Sequence, residues 1–356
     1  MVTGGKFGVS VDEYRPKINL RKSVFLMALV IVIMAVAVWL LSRENFYHMI
    51  ETVRGANHLF IALAIAVYFL SVGLWAIRWQ VALSFINCRT SFGARYRMLC
   101  ATIFLNNITP GARVGGDPFG RLYMLRRMEN MSYSSGMASL VGERALTPLI
   151  VISFFMAGLL FQFGKGSLQL TLILIVAWAL AAFAAVFVPR LFFRKRIAVK
   201  GIGSITNRVL GWFGKSGNAQ EIIEGVETFY SNSYATLDKW KKVLAIGSLT
   251  LLLGILDVFR LYIIFLALGY QPSIPILLIA SSLPTIVGII PFLPGGLVLV
   301  EGSLISVLAL FGVPLNLAMA ATMIERGISF FLSTVVGAVV FSYLGVKMAA
   351  KPEVQS

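Results

Sequence analysis

Apolar residues run through this chain in blocks of two kinds. Ser23–Leu41, His58–Leu83, Tyr133–Phe161, Ser167–Pro189, Val243–Leu268 and Pro314–Leu344 are about 19 to 30 residues long, enough to cross a ~30 Å hydrocarbon core as helices. Four other blocks are short or interrupted. Met98–Ile108 stops at Thr109-Pro110-Gly111, and the following Asp117–Met128 is too charged to cross lipid. Ser273–Pro294 contains Pro275, Pro284, Pro291 and Pro294, and Leu297–Phe311 follows Gly295-Gly296 with Glu301 inside it. Residues 190–242 are polar and basic, and Ile222, Val226, Phe229, Tyr230, Tyr234 and Leu237 recur there at helical spacing. That pattern predicts an amphipathic helix, either on the inner leaflet or packed beneath the bundle.

Composition turns this pattern into a class. Of the 356 residues 58% are hydrophobic and 13% charged, with mean hydropathy +0.85. A soluble domain of this length has too little interior for so much apolar surface. The expected fold is all-α, a polytopic membrane helix bundle. The net charge of +16 fits either nucleic acid or a positive-inside topology facing anionic lipid. Because Lys and Arg cluster between the apolar blocks, the second reading is adopted and no nucleic-acid partner is expected. Two cysteines, Cys88 and Cys100, are too few for a disulfide framework and are expected as reduced thiols, and His48 and His58 flank a short loop. The polar start, residues 1–22, and the long apolar run after it predict an uncleaved first anchor rather than a signal peptide.

The two halves of the chain share an order of features. Arg78, Pro110-Gly111, Asp117 and Glu143-Arg144 are followed at offsets of 182 to 184 by Arg260, Pro294-Gly295, Glu301 and Glu325-Arg326. Charge inside a membrane is costly, so such recurrence predicts an internal repeat, 58–161 and 242–344, joined by a linking helix at 167–189. At ~1.5 Å per residue, Met98–Ile108 reaches about half of the core. The middle of each repeat is therefore predicted to be a re-entrant helical hairpin. One span between the repeats makes them inverted, giving six crossing helices and two hairpins in a single domain, 23–346. Basic residues agree: residues 271–313, predicted to face outside, contain no Lys or Arg. Both termini, including the 347–356 tail, are expected in the cytoplasm of a multi-pass protein of the cell membrane.

Inverted repeats with broken helices near the midplane are a transporter signature, because unwound backbone persists only beside protein or a water-filled cavity. Helix N-termini and arginines there would suit an anionic headgroup. The candidate residues are Arg78, Pro110, Gly111, Asp117, Arg121, Glu143, Arg144, Arg260, Pro294, Gly295, Gly296, Glu301, Glu325 and Arg326. Asp117 before Pro118 also reads as a helix cap. Glu143 and Arg144 point about 100° apart on a helix and need partners elsewhere, as do Glu325 and Arg326. The expected pairs are Arg144 with Asp117 and Arg326 with Glu301, with Arg78 and Arg260 facing the remaining glutamates. Structural ion pairs and site residues both fit this pattern. "GWFGKS" at 211–216 lacks the P-loop spacer, and no metal cluster or nucleophile–His pair is seen. Neither an enzyme nor a cofactor is expected.

At "ITPGARVGGDPFGRLYMLRR", "PFLPGGLVLVEGS" and "ERGISFFLSTVVG" the chain resembles the lysylphosphatidylglycerol synthase transmembrane-region family, also called flippase-like membrane proteins. The resemblance covers roughly residues 20–345 and implies that Pro110, Gly111, Asp117, Pro294, Gly295, Gly296, Glu301, Glu325 and Arg326 are signature positions. Val298 stands where a glycine is common, and Asp117 where a glutamate is usual. The resemblance implies translocation of an anionic lipid or polyprenyl-phosphate-linked sugar. Without the aminoacyltransferase domain of bifunctional members, lysyl transfer is not expected. The alternative is a non-transporting membrane partner of a lipid- or glycan-modifying enzyme.

Overall fold

Asn57 closes the first described turn of the long helix that organises the bundle: its side chain accepts from the Leu59 amide at 2.9 Å. The structure is a computed structural model that describes residues 43–108, 120–129, 131–163, 169, 171–180, 183, 240–287 and 299–349. Among these, every regular element is helical. They are α1 (Arg43–Arg54), α2 (His58–Leu83), α3 (Phe92–Ile108), α4 (Leu122–Glu129), α5 (Tyr133–Arg144), α6 (Thr147–Phe163) and α7 (Thr171–Leu180). Then follow α8 (Trp240–Ala267), α9 (Ile274–Val287), α10 (Leu299–Leu310), α11 (Leu315–Arg326), a π-helical turn at Gly327–Leu332 and α12 (Ser333–Ala349). Among the described residues four helical stretches are long and apolar enough to cross a membrane: His58–Ile86, Ser135–Phe163, Trp240–Ala267 and Leu315–Val346. The span Ser23–Leu41, both Pro-Gly segments, the amphipathic 222–237 segment and both termini lie outside the described residues, and α7 is the described part of the linking helix.

Three sequence expectations change. The short run before Pro110 starts six residues earlier than its apolar pattern implied, at Phe92. At ~1.5 Å per residue its 17 residues reach about 25 Å rather than half the core. Polar Arg95 belongs to this helix because the fold provides it with partners: its Nε donates to the Ala76 carbonyl at 3.0 Å, and Nη1 to Gln80 and Thr90. The span Tyr133–Phe161 is also not one regular helix. It turns at Ala145-Leu146, just after Glu143-Arg144, and the last span forms its π-helical turn just after Glu325-Arg326. Finally, the loop flanked by His48 and His58 is largely helix α1, whose Met49 packs on Met319 and Ala320 of α11.

Packing pairs elements of the two halves. Helices α2 and α8 lie side by side and antiparallel: the Asn57 amide at the start of α2 donates to the Ala267 carbonyl at the end of α8 (2.8 Å), and Lys242 near the start of α8 donates to the Ser84 carbonyl past the end of α2 (2.9 Å). Around this pair the contacts are reciprocal, with α3 packing on α12 and α9 on α6. Each exchange passes through a glycine. A Cβ on Gly158 of α6 would sit 2.7 Å from the Pro275 carbonyl, and one on Gly337 of α12 would meet the Cys100 carbonyl and lie 2.7 Å from Phe104 Cβ. Helices α8 and α10 end in left-handed turns at Gly269 (φ 71°) and Gly312 (φ 84°), a conformation other residues rarely adopt.

The outer faces stay apolar. Leu244, Leu251, Ile255 and Phe259 form an exposed stripe on α8, as do Val335, Val339, Tyr343 and Val346 on α12. Such stripes at helical spacing suit lipid rather than water. Cys88 and Cys100 are free and buried. Burial also pushes the Cys88 thiol up, so at neutral pH it is protonated and reacts slowly.

The close approaches generate a test. Gly158→Ala and Gly337→Ala are each expected to destabilise the detergent-solubilised protein by roughly 1–3 kcal/mol through overpacking. Gly302→Ala, where a Cβ meets nothing within 4 Å, is expected to leave thermal unfolding unchanged or slightly raised.

Candidate functional site

A guanidinium cannot stay charged in an apolar interior without a counter-ion, and α2 and α8 each bury one. Arg78 and Arg260 occupy matching positions, 182 residues apart, and both are more than nine-tenths buried. Each Nη2 pairs with a glutamate 65 residues further on: Arg78 with Glu143 at 3.0 Å, and Arg260 with Glu325 at 2.9 Å. These bonds tie α2 to α5 and α8 to α11 in the same way. The pairing expected for Arg326 and Glu301 is also present, Nε to Oε1 at 2.5 Å, and joins α11 to α10. The partner proposed for Arg144, Asp117, lies outside the described residues. So do Pro110, Gly111, Pro294, Gly295 and Gly296.

The halves differ around these pairs. In the first, Glu143 is fully buried and holds a second arginine, Arg121, at 2.5 Å, and accepts from the Trp75 indole. The Arg121 guanidinium lies 4.7 Å from the Trp79 ring centre and 5.1 Å from that of Trp75. The flat cation therefore has a carboxylate at its edge and indole faces against it, a desolvated cation–π arrangement. In the second half, position 257 takes the place of Trp75 and is an aspartate. Asp257 Oδ1 accepts from Arg260 Nη1 at 2.8 Å, so Arg260 faces two carboxylates where Glu143 faces two arginines.

Between the halves lies a cavity of about 420 Å³. Arg78, Arg144, Arg260 and Arg326 line it, with Asp257 and Glu325. Its wall contains matched pairs: Tyr68 and Thr250 are 182 residues apart, as are Thr147 and Ser329. The antiparallel crossing brings Tyr68 and Thr250 each onto the arginine of the opposite half. Arg78 Nη1 donates to Thr250 Oγ1 at 3.3 Å, and the Arg260 guanidinium sits 5.4 Å from the Tyr68 ring centre. Nε of Arg78 and Nε of Arg260 have no hydrogen-bond partner among the described residues.

Backbone irregularity borders the cavity. Pro284 stands inside α9 and removes the amide that would cap the Ala280 carbonyl. The π-helical turn after Arg326 is a form that often marks functional positions. Here its Phe330 carbonyl accepts from Ser333 at 3.1 Å and from Thr334, while Asn107 of α3 donates to Thr334 Oγ1 at 2.8 Å. Sequence reasoning missed Trp75, Trp79, Asn107 and Asp257 as parts of this site. The signal for Asp257 was available, since it lies three residues before Arg260 in an apolar span. Trp75 and Trp79 had no signal beyond being aromatic.

Replacing Glu143 by Gln removes the carboxylate that the buried Arg78 and Arg121 share. A loss of about 3–5 kcal/mol is expected, read as early aggregation on thermal gel filtration. Glu51→Gln on exposed α1 should behave as wild type. Similar melting of the two variants would mean that the buried pairs do not hold the bundle.

Comparison with known proteins places the chain. The profile of the lysylphosphatidylglycerol synthase transmembrane region matches residues 25–337. A UPF0104 membrane protein of Methanothermobacter thermautotrophicus is 29% identical, covering 96% of this chain and 100% of the relative. A UPF0104 membrane protein of Pyrococcus horikoshii is 30% identical over 82% of this chain and 88% of its own length. One from Methanocaldococcus jannaschii is 24% identical over 81% and 85% respectively. No solved structure matches significantly. The chain belongs to the lysylphosphatidylglycerol synthase transmembrane-region family, an integral membrane protein with several apolar helices.

Proposed function

We propose that this family member translocates an anionic lipid or a polyprenyl-phosphate-linked sugar across the bilayer, without enzymatic chemistry of its own. The observation that carries the reading is the cavity between the halves, with Arg78, Arg144, Arg260 and Arg326 in its wall. Arginine matches phosphate through charge and paired N–H donors. A volume of about 420 Å³ takes a headgroup, so the chains of a bound lipid would remain in the surrounding membrane. The non-transporting alternative would have no need for a cavity lined at matching positions by both halves.

Alternating access is the mechanism proposed. The antiparallel crossing of α2 and α8 and the reciprocal packing of α3 on α12 and α9 on α6 support a two-fold relation between inverted repeats. In this reading six helices cross the membrane, two hairpins re-enter it, both termini are cytoplasmic and the protein lies in the cell membrane. Basic segments on the inner side would meet anionic headgroups there. Because the halves differ around their arginines, one conformation need not mirror the other in energy.

Two experiments test this. Purified protein is reconstituted with fluorescent phosphatidylglycerol or a polyprenyl-phosphate sugar, and the fraction accessible to an external quencher is followed. Faster exchange than in empty liposomes is expected, with Arg326→Ala and Glu301→Gln slowing it at least tenfold; wild-type rates equal to empty liposomes for both substrates would support the non-transporting alternative. For topology, single cysteines at the matching loop positions Ser91 and Gln271 are labelled with a membrane-impermeant maleimide. Gln271→Cys should react in intact cells and Ser91→Cys only after permeabilisation, whereas labelling of both from one side would exclude inversion.

A further inference from the structure

The Arg78 and Arg260 guanidiniums share one ion-pair geometry and differ in what holds Nη1. Nη2 pairs with a glutamate in each case, and among the described residues neither Nε has a hydrogen-bond partner. At Nη1 they diverge: Arg78 donates to the neutral hydroxyl of Thr250 at 3.3 Å, and Arg260 to the carboxylate of Asp257 at 2.8 Å. The two carboxylates on Arg260 are not held alike. Glu325 is 14% exposed, comes from α11 and accepts a further bond from Ser329 at 2.9 Å. Asp257 is 49% exposed, sits one helical turn from Arg260 on α8 and lines the cavity. A half-exposed pair at this spacing is weak, and breaking it leaves the Arg260 side chain anchored by Glu325.

From this difference, and resting on the cavity being a phosphate-binding translocation site, we infer that Asp257 is an internal competitor for the ligand's phosphate. Its carboxylate occupies Nη1 of Arg260, the place a phosphate oxygen takes on binding, and swings into the cavity when the ligand arrives. Among the described residues Arg78 carries no such competitor, so the two arginines differ in how readily they accept an anion. Asp257 thereby raises the threshold for occupancy: a phosphate displaces it, while a weakly held anion does not. It is a specificity-determining residue, acting through Arg260.

Titration calorimetry of the purified full chain in detergent tests this with two probes, dioctanoyl phosphatidylglycerol for a phosphodiester headgroup and farnesyl phosphate for a polyprenyl monoester. Asp257→Asn is expected to tighten binding of whichever probe the wild type binds, by roughly two- to fivefold, the worth of an exposed pair. Glu51→Gln, which removes a carboxylate outside the cavity, should leave it unchanged. In an Arg260→Gln/Glu325→Gln background, where the buried pair is removed as a unit, Asp257→Asn should have no effect. Unchanged or weaker binding by Asp257→Asn overturns the inference. The same gain in the Arg260→Gln/Glu325→Gln background also overturns it, since the effect would then be general electrostatics. A wild type that binds neither probe sinks the phosphate reading of the site, and the competitor role with it.

Discussion

Buried charge is the constraint on which this bundle depends. Arginine and glutamate side chains inside an apolar assembly are tolerated only as pairs, and Arg78–Glu143 and Arg260–Glu325 each join two helices through residues 65 apart in sequence. These two pairs tie the central helices α2 and α8 to α5 and α11. Arg326–Glu301 and Arg121–Glu143 bind α10 and the start of α4 to the same places. Leu and Phe packing fills the space around them but is not directional. The ion pairs are, so they set which helices meet.

The same pairs build the cavity. An arginine that spends Nη2 on a glutamate still has Nη1 to offer, and Nη1 of Arg78 and Nη1 of Arg260 each meet a residue that lines the cavity, Thr250 and Asp257. A structural and a ligand-binding role therefore need not compete for one residue: different nitrogens serve each. Irregular backbone supports this by keeping the walls open, through Pro284 in α9 and the turns that follow Glu143-Arg144 and Glu325-Arg326. The glycines at 158 and 337 do the reverse, letting helices of opposite halves approach until backbone meets backbone.

Much of the charged framework was legible in the sequence, because an ionisable residue in an apolar run stands out and its spacing can be compared between halves. That is why Arg78, Glu143, Arg260, Glu301, Glu325 and Arg326 were identified and three of their pairings expected. Features that depend on tertiary context were not legible. The helix from Phe92 includes Arg95 because a neighbouring helix and turn satisfy its guanidinium, which local hydropathy cannot report. The breaks after Glu143-Arg144 and Glu325-Arg326 leave the apolar pattern uninterrupted, so the spans read as continuous. Trp75 and Trp79 look like ordinary membrane aromatics until Arg121 is placed against them.

The central claim is that a phosphate-bearing amphiphile enters the cavity between the halves. The most direct measurement is photocrosslinking in liposomes with a phosphatidylglycerol carrying a diazirine on its headgroup, followed by peptide mapping. The account predicts adducts on cavity-wall residues of both halves, such as Tyr68, Trp75, Thr250 and Ser329, reduced by unlabelled phosphatidylglycerol. Adducts confined to the outer apolar stripes of α8 and α12, insensitive to competitor, would contradict it.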